Sequence, residues 1–201
     1  TTNTNYKLII NQAKKLNVKN ILIIDKKNYL IAKKKYKKSK IKIYNSFKEI
    51  KKIFKTKIDY TMCAISGLEG LEPTIDAIKY SKRVAIANKE SIICGWNLIK
   101  NKLNKYKTQF IPIDSEHFSI YQLIKGQENK NIKRIIITAS GGPFLNKKIK
   151  NVSLSDALKH PNWKMGEKIS IDSATLMNKV FEVIEAKKIF NINLKKIKIL
   201  I

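Results

Sequence analysis

Arg83-Val84-Ala85-Ile86-Ala87-Asn88-Lys89-Glu90-Ser91 changes its period halfway along. Arg83–Ala87 is a short apolar run of the length and composition of a buried strand. From Glu90 to Leu103 the apolar residues recur three and four apart, which puts them on one face of a helix. The pattern then repeats: Gln109–Ile113 reads as a strand and Glu116–Ile124 as a helix, with Asp114-Ser115-Glu116-His117 between them. Working outward, Ile21–Ile24, Ile41–Tyr44, Tyr60–Ile65 and Arg134–Ala139 read as strands, and Asn5–Leu16, Phe47–Phe54 and Gly70–Tyr80 as helices. Strands alternating with helices predict an α/β protein with a doubly wound, mainly parallel sheet. In such sheets ligands bind beyond the carboxyl ends of the strands. Polar or glycine-containing clusters fall at those ends: Ser66-Gly67, Asn88-Lys89-Glu90, Asp114-Ser115-Glu116-His117 and Ser140-Gly141-Gly142-Pro143. The spacing also predicts one helix over Ser173–Phe190, with Leu176, Val180, Val183, Ile184 and Lys187 on one side and Thr175, Asn178, Lys179 and Glu182 on the other. A boundary is expected near residue 112, separating 1–112 from 113–201.

With 201 residues, 43% of them hydrophobic, the chain can bury a substantial core. It contains no run of roughly 18 apolar residues of the kind that spans a membrane, and no leader segment opens it, so a cytoplasmic protein is expected. Cys63 and Cys94 show no metal or disulfide spacing. The net charge of +27 suggests a polyanion partner when taken alone. Lysine spread along the whole chain accounts for it, without the arginine and aromatic concentration of nucleic-acid modules. No nucleic-acid or membrane partner is expected.

Asp114 and Glu116 lie two apart at a strand end, a spacing that turns both carboxylates to one side. With Glu182 they would make three hard oxygen ligands, suited to Mg²⁺ or Mn²⁺. Asp114 as a helix cap with Glu116 in the first turn fits the same spacing. The two glycines after Ser140 allow a close backbone approach to a small anion, or simply a tight turn. Ser173, Asn178 and Lys179 supply a hydroxyl, an amide and an ammonium near an expected helix N-terminus, where a phosphate is favoured. His160-Pro161-Asn162-Trp163-Lys164-Met165-Gly166 reads as a loop, with Trp163 as a lid or a packed surface plug.

Taken in order, Ala87-Asn88-Lys89-Glu90-Ser91, Asp114-Ser115-Glu116-His117, Ala139-Ser140-Gly141-Gly142-Pro143-Phe144, the His160–Gly166 loop and Asp172-Ser173-Ala174-Thr175-Leu176-Met177-Asn178-Lys179 resemble the signature segments of the 1-deoxy-D-xylulose-5-phosphate reductoisomerase family. The resemblance implies a Rossmann-like NADPH domain followed by part of an α+β catalytic domain. It implies Asp114, Glu116 and Glu182 as ligands of Mg²⁺ or Mn²⁺. It implies Lys89, Ser115, Glu116, Ser140, His160, Ser173, Asn178, Lys179 and Glu182 as contacts to a sugar phosphate, with Lys89, Glu116 and His160 catalytic. Asn3, Thr4, Asn5, Asn88, Glu90 and Gly166 would line the NADPH site, and Trp163 and Met165 would belong to a lid. The implied reaction is rearrangement and NADPH-dependent reduction of 1-deoxy-D-xylulose 5-phosphate to 2-C-methyl-D-erythritol 4-phosphate, in a homodimer.

The sequence departs from the family in places. The 201 residues do not include the Gly-rich turn with which the family normally begins, Thr4 stands where a lysine is usual, and Val180 stands where glycine is common. The expectation is a partial chain that is inactive alone. The competing readings are another NAD(P)-dependent oxidoreductase on the same scaffold and a basic polyanion-binding module. A three-carboxylate site discriminates against the first, while unspecific DNA binding that weakens steeply with salt and ignores NADPH and Mn²⁺ would favour the second.

Overall fold

A computed structural model describes residues 1–145 and 150–201. The chain divides into two compact units, Thr1–Ile58 and Asp59–Ile201. The boundary expected near residue 112 falls inside the second unit, between a strand and a helix that both belong to it.

In the first unit, α1 (Tyr6–Lys15) leads to β1 (Asn20–Leu22), α2 (Lys26–Lys35), β2 (Lys42–Tyr44) and α3 (Ile50–Ile53). β1 and β2 pair in parallel, with Ile21 opposite Ile43. Ile9, Ile10, Ala13, Ile21, Ile23 and Ala32 form the core. Helix α2 is absent from the sequence expectation because it buries only Ala32 fully and carries lysine on most of its surface. Its start is instead marked by Asp25, whose carboxylate accepts the Asn28 N–H at 2.7 Å and so satisfies one of the unpaired donors of the first turn.

The second unit contains β3 (Ile58–Cys63, which begins at the boundary), α4 (Leu71–Lys79), β4 (Ser81–Ile86), α5 (Lys89–Tyr106), β5 (Gln109–Pro112), α6 (Ser115–Leu123), β6 (Ile135–Thr138), α7 (Leu154–Ala157), α8 (Glu167–Ala174), α9 (Met177–Phe190) and β7 (Ile197–Leu200). The class is mixed α/β with parallel pairing, as the alternation of periods predicts. Among the described residues the strands of the chain are distributed over small sheets: β1-β2 in the first unit, β3-β4-β5 and β6-β7 in the second. β4 runs parallel to β5 and β6 parallel to β7.

Helix α5 packs against α4 and α9. Its inner face contributes Ile92, Trp96, Ile99 and Leu103 to a cluster with Cys63, Ile78, Val84 and Ile86. Each such side chain contributes about 1.5–3 kcal/mol by leaving water. Gly95 is what brings α4 close, since a Cβ there would lie 2.3 Å from the Leu71 side chain. A second cluster joins Ile120, Ile135, Ile137, Ala186, Phe190, Ile192 and Ile197, and Ile189 of α9 packs against both. Helix α9 is thereby held between two cores, with its first turns free to carry chemistry.

One expectation about α9 is corrected. The single helix over Ser173–Phe190 is two helices, because Leu176 takes a left-handed φ of 60° and breaks the run between α8 and α9. Burial on α9 does not follow its apolar side. Lys179, Glu182, Glu185, Ala186 and Phe190 are buried, while Val180 is 45% exposed. Period identifies a helix, but which face turns inward depends on what the neighbours offer, and here they offer charges.

Candidate metal and substrate site

Three junctions of the second unit converge: the start of α5, the turn from β5 into α6, and the first turns of α9. Asn88 sets the first. Its carboxamide accepts the Ser91 N–H as the N-cap of α5 and donates to the carbonyls of Ile65 and Gly67. All of its polar atoms are therefore engaged in shaping the turn that presents Lys89. Lys89 forms a close ion pair with Asp114 and lies 3.4 Å from Glu182 and 3.7 Å from Glu185.

Asp114 occupies the N-cap position of α6 without capping it. Of the two readings the spacing allowed, the structure thus lacks the cap bond and directs the carboxylate to Lys89 instead. Glu116, one residue into α6, accepts a hydrogen bond from Lys179 Nζ at 2.6 Å, and the Ser115 hydroxyl also bonds to it. On α9, Lys179, Glu182 and Glu185 follow at three-residue steps and share one face. Lys179 Nζ also reaches Glu182 at 2.5 Å and the Thr138 carbonyl at 2.7 Å, and Asn178 Nδ2 donates to Glu182 at 2.5 Å.

Oxygen atoms of Asp114, Glu116 and Glu182 all lie within 4.8 Å of one another. A second group of the same compactness joins Asp114 with His117 and Glu185. Neither His117 nor Glu185 was singled out from the sequence. His117 appeared only inside a motif, and Glu185 could have been found from its spacing, one turn beyond Glu182. Both are essentially fully buried, at 0% and 1% side-chain exposure.

Burial pushes the Asp114 carboxyl up, but its contact with His117 and the Lys89 charge outweigh that and hold it well below the usual carboxylate range. Burial raises Glu182 against the pull of Lys179, and it pushes Glu185 up to about 7 against Lys89 and His117. Desolvation works against the Lys89 ammonium, yet Asp114 and Glu185 raise it above its ordinary value, so it remains a cation. The site is a low-dielectric knot of acids cross-linked by two ammonium groups.

Beside it, Ala139, Ser140, Gly141, Ser173, Leu176, Asn178 and Lys179 line a recess. Gly141 and Gly142 both have positive φ, and a Cβ on Gly142 would lie 2.8 Å from the Ser173 carbonyl, so the turn fits against α8 only as glycine. Ser173 was expected near a helix N-terminus. It lies instead in the last turn of α8, while Asn178 and Lys179 sit in the first turn of α9. His160 closes another side of this region. Its Nδ1 accepts the backbone N–H groups of Asn162 and Trp163, which leaves Nε2 to donate to Ser140 Oγ at 3.2 Å.

Trp163 is 65% exposed and Met165 half-buried. Glu90 pairs with Lys168 at 3.0 Å, and Lys168 also pairs with Asp172. Gly166 precedes α8, and a Cβ there would meet nothing within 4 Å. Asn3, Thr4 and Asn5 are exposed in the first unit, where Asn5 caps α1 by accepting the Leu8 N–H.

A parallel α/β scaffold here carries three converging carboxylates beside a lysine- and hydroxyl-lined recess, the class of site that could hold a hard divalent cation next to an anionic small molecule. Comparison narrows the class. The sequence model for 1-deoxy-D-xylulose 5-phosphate reductoisomerase matches residues 1–95, and that for the reductoisomerase C-terminal domain matches residues 110–190. The chain belongs to the 1-deoxy-D-xylulose 5-phosphate reductoisomerase family. It is 61% identical to the reductoisomerase of Pelagibacter ubique over 100% of this chain and 53% of that protein. It is 47% identical to that of Caldanaerobacter subterraneus over 80% of this chain and 43% of that protein. A reductoisomerase structure from Zymomonas mobilis in complex with NADPH superimposes with a TM-score of 0.86 at 37% identity, covering 98% of this chain and 52% of that one. A crystal structure of a reductoisomerase with NADPH, fosmidomycin and magnesium gives 0.85 at 34% identity, with the same coverage. The chain spans about half the length of the curated relatives it matches.

Proposed function

We propose that this protein acts as a 1-deoxy-D-xylulose 5-phosphate reductoisomerase, converting that substrate with NADPH and Mg²⁺ or Mn²⁺ to 2-C-methyl-D-erythritol 4-phosphate for isoprenoid precursor synthesis. The observation that carries the reading is the meeting of Asp114, Glu116 and Glu182 oxygens within 4.8 Å beside a recess lined by Ser140, Ser173, Asn178 and Lys179.

The donor set suits a hard divalent cation, because all three ligands are carboxylates and two of them are largely buried. Asp114, Glu116 and Glu182 would hold it. The chemistry such a cation supplies is Lewis acidity toward a ketone and a neighbouring hydroxyl, and NADPH supplies hydride.

Lys179 and Asn178 at the start of α9, with Ser140 and Ser173, would bind the phosphate through charge-assisted and neutral hydrogen bonds. Lys179 would leave its carboxylate partners to do so. Lys89, which keeps its proton, would donate to the hydroxylated middle of the substrate rather than act as a base. Ser115 would add a hydroxyl contact. The His160 ring, with its proton on Nε2, would serve as a donor in the same region. Trp163, exposed on its loop, and Met165 would close over the substrate and exclude water. Asn3, Thr4, Asn5, Glu90 and Gly166 would line the NADPH site, with Asn88 acting through the turn it holds. The functional division near residue 112, a homodimeric state and a cytoplasmic location complete the proposal.

The test is a Mn²⁺ titration followed by electron paramagnetic resonance, together with NADPH oxidation driven by 1-deoxy-D-xylulose 5-phosphate in the enzyme completed to the length of its relatives, since the 201 residues alone are expected to be inactive. Glu116→Gln should keep the circular dichroism spectrum and lose most Mn²⁺ binding. A wild-type protein that binds no Mn²⁺, or a variant that binds it normally, would sink the assignment.

A further inference from the structure

Lys168 stands in the first turn of α8, where the backbone dipole favours an acid and opposes a lysine. Its ion pair with Asp172, four residues on, runs in the less favourable order for a helix, with the cation first. Local helix stability therefore gives no reason for a lysine at 168. Its tertiary contacts give one. The ammonium lies 3.0 Å from Glu90 at the start of α5 and 2.9 Å from Asp172, and it sits 5.6 Å from the centre of the Phe181 ring on α9. One cation thus joins three helices. Its contacts with Asp172 and Glu90 raise it above the ordinary lysine value, so it stays charged.

Helix α8 fully buries only Ser170 and Ala174, so little apolar packing fixes its place. Asp172 directly precedes Ser173, whose carbonyl faces Gly142 beside the anion recess, and Glu90 directly follows Lys89. The Lys168 side chain is 63% exposed, and exposed ion pairs contribute little to folding. Its contribution is to geometry rather than to stability. We propose that Lys168 is a positioning residue: by pairing with Glu90 and Asp172 at once it holds α8 against the start of α5, and so sets where Ser173 stands in the anion recess. The proposal rests on the reading of that recess as the phosphate site. Without the ammonium, two carboxylates face each other across the α5–α8 contact and the helix is free to draw away.

The experiment compares wild type, Lys168→Met, Lys168→Arg, Asp172→Asn and the double variant Lys168→Met/Asp172→Asn, in the enzyme completed to the length of its relatives. Hydrogen exchange of the α8 amides is read without ligand. Steady-state kinetics use NADPH, Mn²⁺ and 1-deoxy-D-xylulose 5-phosphate, and Mn²⁺ affinity and thermal unfolding are followed in parallel. Methionine keeps an apolar stem over Phe181 and removes the charge. Lys168→Met should speed exchange in α8 and lower kcat/KM for the phosphate substrate by about 10-fold, mainly through KM, within what a misplacement of up to about 1 Å costs. Mn²⁺ affinity and unfolding temperature should stay near wild type, since Asp114, Glu116 and Glu182 come from the β5–α6 junction and α9. Lys168→Arg keeps the charge, can bind both carboxylates and should recover most of the loss. The effects of Lys168→Met and Asp172→Asn should be less than additive, as for partners in one network. Unchanged α8 exchange or unchanged KM in Lys168→Met, or a loss that Lys168→Arg does not recover, overturns the proposal. A fall in unfolding temperature that matches the kinetic loss makes the role structural and overturns it too. If wild type does not turn over the substrate, the proposed function fails, and exchange in α8 still decides whether Lys168 holds the helix.

Discussion

The Lys179 ammonium lies 2.5 Å from the Glu182 carboxylate one turn along α9, and both side chains are almost entirely buried, at 10% and 2% exposure. The same ammonium reaches Glu116, so one lysine neutralises two of the three acids proposed as metal ligands. In the proposed function, phosphate binding and metal binding would therefore draw on the same residue in opposite senses.

Lys179→Met should separate them. Without metal, the variant leaves two acids facing each other with one cation fewer, and breaking a buried pair of this kind costs about 3–5 kcal/mol. The unfolding temperature in EDTA should fall clearly. Mn²⁺ should restore it more fully than it raises wild type, since the cation no longer competes with an ammonium. The steady-state KM for the phosphate substrate should rise, as expected for a lost charge-assisted contact. Equal shifts with and without Mn²⁺ would show that Lys179 and the metal do not share ligands.

Glu185 predicts a pH dependence of the metal-free chain. Its folded value of about 7 lies above the ordinary glutamate value of 4.5, so folding favours the protonated form. That contribution is complete below the ordinary value and is lost as pH rises through about 7. Asp114 behaves oppositely: its carboxyl is held below the ordinary 3.8, so its contribution is present above that value and is lost as pH falls below it. Stability in EDTA should therefore peak in weak acid and decline toward pH 8. Glu185→Gln should flatten the alkaline decline and leave the acid limb in place. Denaturant midpoints at several pH values measure both limbs.

Gly95→Ala tests the close approach of α4 and α5. The added methyl would lie 2.3 Å from Leu71, and overpacking of this kind costs roughly 1–3 kcal/mol despite the better helix propensity of alanine. Leu71→Ala in the same chain should recover part of that loss. Additive effects in thermal unfolding would mean that the two residues do not press on each other.

Gly142→Ala should act on the recess rather than on the core. Its φ of 67° and the Ser173 carbonyl 2.8 Å from a Cβ both resist a side chain, so the turn must shift away from α8. The expected result is weaker binding of inorganic phosphate and a raised KM for the phosphate substrate, with Mn²⁺ affinity little changed. Unaltered phosphate binding would remove this turn from the anion site.

By itself the sequence determined the succession of elements. Strand and helix periods are local properties of the chain, so β4, α5, β5 and α6 stand within a few residues of where the apolar spacing puts them, and Asp114 and Glu116 sit at the end of a strand as their position implies. Helix α2 escaped because lysine masks its periodicity and only Asp25 marks its start. What tertiary structure alone decided is which residues meet. The turn at Leu176 splits α8 from α9 because its backbone takes a left-handed conformation that leucine does not favour, which no local pattern marks. The face of α9 that turns inward carries Lys179, Glu182 and Glu185, against the usual rule of apolar burial. That inversion is tolerable because Lys89 arrives from α5 and His117 from α6 beside the two acids, and Glu116 from α6 pairs with Lys179. No local pattern encodes such compensation: it depends on groups far apart in sequence reaching within hydrogen-bonding distance, so Glu185 and His117 became visible as parts of the site only once the chain was folded.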